Sequence, residues 1–462
     1  MAVFDCFEFD GDVAALVQRL EALSESVDHF VVVEVIDRST AEKAESTLRQ
    51  QWAELKPWAR QLRHVIVSEP KPASLTWRQK GKAPLRSPDP HAGLAHIGRG
   101  LADLTAGDVV ILAQMRDIPA RAWIEEFMRD PMKPTELFTV SDTAVWQPGA
   151  SVGGVALRVG EAALPSPSQT LKAGLKSAPP ARPAQLIGAR IAAHGNSQAT
   201  VITSKDRRPM IICAYLHDRD EVTVRQAFGL DDERGSRLPF FLWQDTERIG
   251  PERAFQHCWN QFPDRDVIII HPDMAPMPDD PNNTWYEKLC AYRNQLPDAG
   301  IIGCDLIFPE PTQEGDVAAQ CVGGRIRAGK IKHVGGRNHP YNERYTGVRQ
   351  MDWATFGGVL IRREAIDMVG PFDETYKWAY VMDVDYCMAV QLRGMRIYQV
   401  PVNIIHAENG TTKDFLKNPE YKATMFANFT IFEEKWASLF RGKSSSGDES
   451  PSFGLLPKFP GG

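Results

Sequence analysis

The chain lacks an apolar run long enough to cross a bilayer, which argues against a spanning protein. It also lacks a basic excess: 53 Lys and Arg are outnumbered by 59 Asp and Glu, and the net charge is -6. A protein that holds polyanions by bulk charge has the opposite balance, so there is no strong nucleic-acid signal. Cysteine is sparse and scattered. Cys6, Cys213, Cys258, Cys290, Cys304, Cys321 and Cys387 lie mostly beside apolar residues and never form a CxxC pair, so they read as buried free thiols in a reducing compartment. The start, Met1 to Glu8, has no basic stretch followed by an apolar one, and the expected location is cytoplasmic.

What is present is an ordinary globular composition, 43% hydrophobic and 24% charged over 462 residues, which is too long for one core. Strands alternate with helices. Val3 to Phe9 reads as a strand, and Val13, Leu16, Val17, Leu20 and Leu23 mark one helical face. His29 to Val35 reads as a buried strand, Ala41 to Trp58 as a helix, and His64 to Val67 and Asp108 to Ala113 as further strands. Gly93 to Gly100, with His96 and Arg99, reads as an amphipathic helix. From Leu164 to Pro183 the composition turns to Pro, Ser, Ala and Lys, which cannot bury enough apolar surface to order itself. A second unit starts with the strand Met210 to Tyr215 and ends with a helix from Pro419 to Phe440. The expected fold class is α/β: two Rossmann-like units with mostly parallel sheets, residues 1–160 and 206–442. A Pro/Ser/Ala-rich linker at 161–205 joins them, and a tail follows at 443–462.

The chemistry concentrates in the last third. The apolar strand Val267 to Ile270 runs straight into His271-Pro272-Asp273, at the strand end where an open α/β sheet builds ligand sites. Gly357 and Gly358 follow Trp353 and precede an apolar strand, so bare backbone can approach a ligand there. Asp383 and Asp385 open a helix that ends near Gly394, with the strand Ile397 to Val400 beyond and His406 after it. One Asp at a helix start serves as a cap worth about 1 kcal/mol; a second at an alternate position is left for chemistry. Asp273 suits a hard divalent cation, or else simply starts the turn into Met274 to Pro281. His406 reads either as a ligand or as a packing residue.

Residues 209 to 440 resemble a glycosyltransferase family 2 catalytic domain of the GT-A fold, in its rhamnosyltransferase-like branch. The ordered matches are His271-Pro272-Asp273 for Asn-Pro-Asp, the glycine strand into Arg362-Arg363, and Gly370-Pro371-Phe372-Asp373-Glu374. Met382-Asp383-Val384-Asp385-Tyr386-Cys387, Val400-Pro401 and Ile405-His406 complete the series. The resemblance implies an inverting transfer of a sugar from a nucleotide-sugar donor to a hydroxyl of a glycan, a lipid-linked sugar or another acceptor. It implies Asp383 as general base, and Asp273, His406 and His271 as holders of Mn²⁺ or Mg²⁺. It also implies donor contacts from Tyr215, Asp245 and Asp273, and acceptor contacts from Gly357, Gly358, Trp353 and Asp385, with Asp385 also orienting the helix start. His271 departs from the family's Asn, Met382 from its Glu, and Cys213-Ala214-Tyr215-Leu216 from its Pro-Thr-Tyr-Asn. Imidazole at 271 suits Mn²⁺ better than Mg²⁺.

Phe4 to Phe9 and Val27 to Glu34 resemble the start of glycosyltransferase family 17. That family's Ser-Asp-Val-Asp-Glu-Ile-Pro aligns here with Ala113-Gln114-Met115-Arg116-Asp117-Ile118-Pro119, where an amide and a guanidinium replace the metal-binding carboxylates. The first unit is therefore expected to be a non-catalytic scaffold, an acceptor-binding surface or a contact in a homo-oligomer. The alternative for the whole chain is a non-catalytic carbohydrate- or partner-binding protein built from two decayed transferase domains.

Overall fold

The computed structural model describes residues 2–37, 46–69, 93–103, 108–113, 115, 118, 124, 138–140, 154–158, 208–231, 238–280, 282–327, 329–336, 339–377, 380–407 and 419–440. Gln114, Arg116, Asp117 and Pro119, the 161–205 linker and the 443–462 tail lie outside the described residues.

The architecture is mixed α/β, with two large sheets. The first contains β1 (Val3–Glu8), β2 (His29–Asp37), β3 (Leu62–Glu69), β4 (Val109–Ala113), β5 (Phe138–Val140) and β6 (Gly154–Arg158). Its order is β3-β2-β1-β4-β6-β5, with β1 to β4 parallel and the last two strands antiparallel. The helix α1 (Val13–Leu23) starts at Asp12, whose carboxylate accepts from the Ala15 N–H, and buries Leu16, Leu20 and Leu23.

Two expected helices differ. Between residues 46 and 58 the chain forms α2 (Thr47–Gln50), α3 (Trp52–Leu55) and a 3-10 turn at Lys56–Trp58. Ser46 caps the first piece and Gln51, at φ -110° and ψ 22°, interrupts the run. Gly93–Gly100 is a 3-10 helix; a Cβ on Gly100 would lie 2.5 Å from Val31 Cγ1, so the segment is pressed onto β2. Arg99 is buried there, donating to the Ile66 carbonyl at 2.8 Å and the Gly394 carbonyl at 2.9 Å.

The second sheet contains β7 (Met210–Tyr215), β8 (Phe240–Gln244), β9 (Val267–Ile269), β10 (Met274–Pro276), β11 (Ala299–Ile307), β12 (Ala319–Cys321), β15 (Arg349–Met351), β16 (Val359–Ile361) and β17 (Arg396–His406). Between them, β13 (Gly324–Arg327) and β14 (Lys330–His333) form a separate hairpin. The order is β10-β17-β11-β16-β9-β7-β8, with β12 added to β11 and β15 to β17. Strands β7, β8 and β9 are parallel, as are β11 and β17, and β16 runs against its neighbours. The helices are α4 (Asp218–Phe228), α5 (Pro251–Asn260), α6 (Thr284–Gln295), α7 (Arg363–Val369), α8 (Met382–Leu392), α9 (Pro419–Lys435) and α10 (Ala437–Phe440).

Strand β17 is longer than the expected Ile397 to Val400 because its register against β11 shifts between Cys304 and Asp305, whose partners are Val400 and Asn403. Pro401, which has no N–H to give a ladder, falls in that irregularity, so the strand continues through it.

One apolar cluster runs through both sheets, including Leu20 and Trp52 from the first and Trp259, Ile301 and Ile366 from the second. Polar contacts reinforce the junction. Arg49 pairs with Glu364, both nearly buried; Trp52 Nε1 donates to Asp367 at 2.9 Å; and the His64 N–H donates to the Arg393 carbonyl at 2.8 Å. The junction lies at the end of the second sheet where β17 begins. At about 3.3 Å per residue, that strand carries the chain roughly 35 Å to His406 at the opposite end.

Candidate functional site

At that opposite end, β9 delivers His271 and Asp273. β10 then pairs antiparallel with the end of β17, Met274 facing His406, and the Ala407 N–H donates to the Asp273 carbonyl at 3.0 Å. This register brings His406 to a pair of residues more than a hundred positions away in the chain. Ligand atoms of His271, Asp273 and His406 all lie within 4.8 Å of one another.

His406 is oriented by a residue that sequence reasoning missed. Gln320, from β12, donates its amide N–H to the His406 carbonyl at 3.3 Å, which fixes the amide so that its oxygen accepts from His406 Nδ1 at 2.8 Å. In the neutral ring, Nε2 then carries a lone pair and faces Asp273 Oδ1 at 3.3 Å. Protonated, the same nitrogen donates to Asp273 as an ion pair; neutral, it offers that lone pair to a cation held beside the carboxylate. Burial acts to raise the Asp273 carboxyl, but the hydrogen bond and charge of His406, with that of His271, hold it down at about 2.

His271 is sandwiched. Phe255 of α5 stacks on its ring at 5.6 Å and 2°, and a Cβ on Gly357 would lie 3.2 Å from the imidazole on another side. Burial, then the neighbouring His406, push its pKa down to about 4, and it is neutral at physiological pH. It hydrogen-bonds the Phe356 backbone, while its buried Nε2 has no partner. An orphaned imidazole nitrogen, a second imidazole nitrogen aimed by an amide, and an ionised carboxylate form a donor set that fits a divalent transition metal.

Asp383 stands one peptide away. The Phe356 backbone that bonds His271 also donates to the Asp383 carboxylate, and the Val384 N–H donates to it at 2.8 Å. The chain enters α8 through Tyr380 and Val381 at φ +75° and +76°, a region that costs a β-branched residue strain and that recurs at functional sites. Burial pushes the Asp383 carboxyl up to about 6 against those backbone donors.

Glu252 is a second residue missed from the sequence. It lies in the first turn of α5, three positions before Phe255 and so on the helix face that meets His271. Burial drives its carboxyl up; its own backbone N–H opposes this and the Asp383 charge adds to it, leaving it at about 8. At neutral pH the crevice therefore holds Asp273 and Asp383 ionised and Glu252 protonated, a separation of the kind that assigns base and acid roles.

The remaining expected residues divide between the crevice and the fold. Tyr215 and Asp245 sit at the ends of β7 and β8; the Tyr215 hydroxyl donates to Glu221 at 2.6 Å, and Asp245 accepts from the Ile249 and Gly250 N–H groups at 3.0 and 3.3 Å. Tyr215 thus ties the end of β7 to α4, and Asp245 shapes the loop that starts α5. Gly357 and Gly358 line the His271 end of the crevice, and Gly358 has φ +64°. Trp353 is buried beneath Gly324, and Asp385 is taken up by Tyr376 at 2.9 Å, Trp436 at 2.8 Å and Lys435 at 2.9 Å. These two side chains hold the fold rather than line the crevice. Among the described residues no helix is long and apolar enough to cross a membrane.

No family model matches the chain, and no curated protein matches it. Solved structures are similar in part, these two among them. GalNAc-T7 with UDP, GalNAc and Mn²⁺ matches at 12% identity and a TM-score of 0.34, over 50% of this chain and 49% of its own, so the chain spans about half its length. A197 from STIV matches at 10% identity and a TM-score of 0.25, over 43% of this chain and 82% of its own. With TM-scores below 0.5, neither likeness carries an argument about function.

Proposed function

We propose that the crevice is the active site of an inverting, metal-dependent glycosyltransferase of GT-A type. The observation that carries this reading is the convergence of His271, Asp273 and His406 beside Asp383, joined to it through the Phe356 backbone. A divalent cation held by those three residues would neutralise the diphosphate of a nucleotide-sugar donor, and the two imidazoles favour Mn²⁺ over Mg²⁺. Asp383, ionised above about pH 6, takes the proton of the acceptor hydroxyl. The new bond forms between the acceptor oxygen and the anomeric carbon as the carbon–oxygen bond to the diphosphate breaks; the nucleoside diphosphate leaves with the electron pair. Glu252, protonated below about pH 8, keeps a third carboxylate charge out of the crevice during that step. The donor lies over the ends of β7 and β8, beside Tyr215 and Asp245.

Asp383→Asn separates chemistry from binding. Turnover should fall about 10²–10⁴-fold, the usual contribution of a positioned base, with donor affinity within twofold of wild type. Unchanged turnover would remove Asp383 from the role of base.

A further inference from the structure

The inner face of α9 carries a buried amide among aromatic rings. Tyr421, Asn428 and Phe432 share that face, and Asn428 is 1% exposed. A buried amide is unfavourable unless its donors and acceptor are used, and Asn is a poor helix former, so packing alone does not explain the residue. Its bonds show what it holds. Asn428 Oδ1 accepts from the Lys377 N–H at 3.2 Å, while Nδ2 donates to the Lys377 carbonyl at 2.9 Å and reaches the Tyr380 carbonyl at 3.5 Å. One side chain thus grips both backbone groups of Lys377, as a neighbouring strand would.

The gripped segment is the one that delivers Asp383. Tyr380 and Val381 stand at positive φ, a conformation that persists only where the surroundings over-determine it. The Val381 carbonyl then accepts from the Asp385 N–H at 2.8 Å, which closes the first turn of α8. Two turns beyond Asn428 on the same face, Lys435 donates to the Asp385 carboxylate at 2.9 Å, and Trp436 does so at 2.8 Å. Tyr376, directly before Lys377, donates to that carboxylate at 2.9 Å. The helix therefore holds the entry to α8 on both sides of the strained pair, by backbone at 377 and 380 and by side chain at 385.

Asp383 lies between these two anchors in the chain. The Val384 and Phe356 backbone groups donate to its carboxylate, so where it points depends on where the segment is pinned. Glu252 on α5, Cys321 on β12 and Cys387 on α8 feel its charge, and these three lie off α9.

We propose that Asn428 is a positioning residue for Asp383, acting through the 377–381 backbone to hold the carboxylate where an acceptor hydroxyl meets it. Its effect on turnover rests on the transferase reading; the clamp on the segment does not.

The test compares wild type with Asn428→Ala, with the isosteric Asn428→Asp, and with Phe432→Leu, a packing change one turn further along the same face. Hydrogen exchange read by mass spectrometry needs no donor. In Asn428→Ala, peptides covering residues 380–387 should exchange at least tenfold faster, and those covering β9 should not change. Turnover is read as hydrolysis of UDP-glucose, UDP-N-acetylglucosamine and GDP-mannose with Mn²⁺. Asn428→Ala should lower kcat about 10–100-fold, the effect of a misplaced reacting group, with KM and Mn²⁺ affinity within twofold. Asn428→Asp keeps the volume and the acceptor but loses the donor, and its kcat should fall as far. Phe432→Leu should lower the melting temperature and leave kcat within twofold. As the segment loosens, water reaches Asp383, so the acid limb of the pH profile in Asn428→Ala should move down from about 6 toward the ordinary carboxylate range. Unchanged exchange in Asn428→Ala overturns the clamp. A kcat loss shared by Phe432→Leu, or full activity in Asn428→Asp, reduces Asn428 to packing and overturns the positioning role. Absence of hydrolysis by wild type counts against the transferase reading alone, and the exchange result still decides the clamp.

Discussion

In the first sheet the buried carboxylates are consumed by the fold, whereas in the second several are held without a strong partner. Asp5 is fully buried and both of its oxygens are taken by Arg19, at 2.7 and 2.6 Å; Glu34 accepts from Ser46 at 2.6 Å and bonds His64 at 2.9 Å. At the far end of the second sheet, His271 Nε2 has no partner, Asp273 meets the His406 imidazole, and burial has lifted Asp383 and Glu252 to about 6 and 8. Both regions place ionisable groups near strand ends. Among the described residues the second gathers such groups within 4.8 Å of one another, and perturbed groups gathered in a crevice are what catalysis needs. The roughly 35 Å of β17 between the inter-sheet junction and His406 separates the two regions, support at one end and the proposed chemistry at the other.

The largest expected effect probes the support. Arg19→Ala leaves Asp5 buried and unpaired, which should cost about 3–5 kcal/mol of stability by chemical denaturation. At 25 °C, in protein that remains folded, Mn²⁺ affinity should be unchanged. A loss of metal affinity in that variant would dissolve the division of labour.

Much of this was legible in the chain. Apolar runs marked β1, β2, β7 and β9, and the run from Val267 into His271-Pro272-Asp273 announced a strand ending in ligands. What was not legible depends on pairing. The expected strand stopped at Val400; the irregularity against β11 lets it continue through Pro401 to His406, and that register is what aims His406 at Asp273. Gln320 and Glu252 gave no signal, because an isolated amide and a first-turn acid are commonplace until another element buries them. Asp385 looked like part of the site, yet Tyr376 nine residues before it and Lys435 fifty residues after it claim both of its oxygens.

A smaller effect sharpens the contrast from the site's side. Gln320→Ala frees the His406 ring to rotate and should weaken Mn²⁺ binding about 10–100-fold, the range for a residue that orients a ligand, with little change in stability. Isothermal titration reads the first and a thermal melt the second.

The smallest concerns pH. Turnover should rise as Asp383 ionises through about pH 6 and fall as Glu252 ionises through about pH 8, giving a bell. Glu252→Gln removes the second ionisation, so its profile should keep the acid limb and lose the alkaline one. An alkaline limb that survives in the variant assigns that limb to another group.

In the proposed reading the His271, Asp273 and His406 cluster binds a nucleotide-sugar donor through a divalent metal. The most direct measurement is donor binding and slow hydrolysis across a nucleotide-sugar panel, with Mn²⁺, Mg²⁺ or chelator, for wild type and Asp273→Ala. The account predicts metal-dependent binding of one donor class, stronger with Mn²⁺, abolished by chelator and absent in the variant. Failure of wild type to bind any donor with either metal would contradict it.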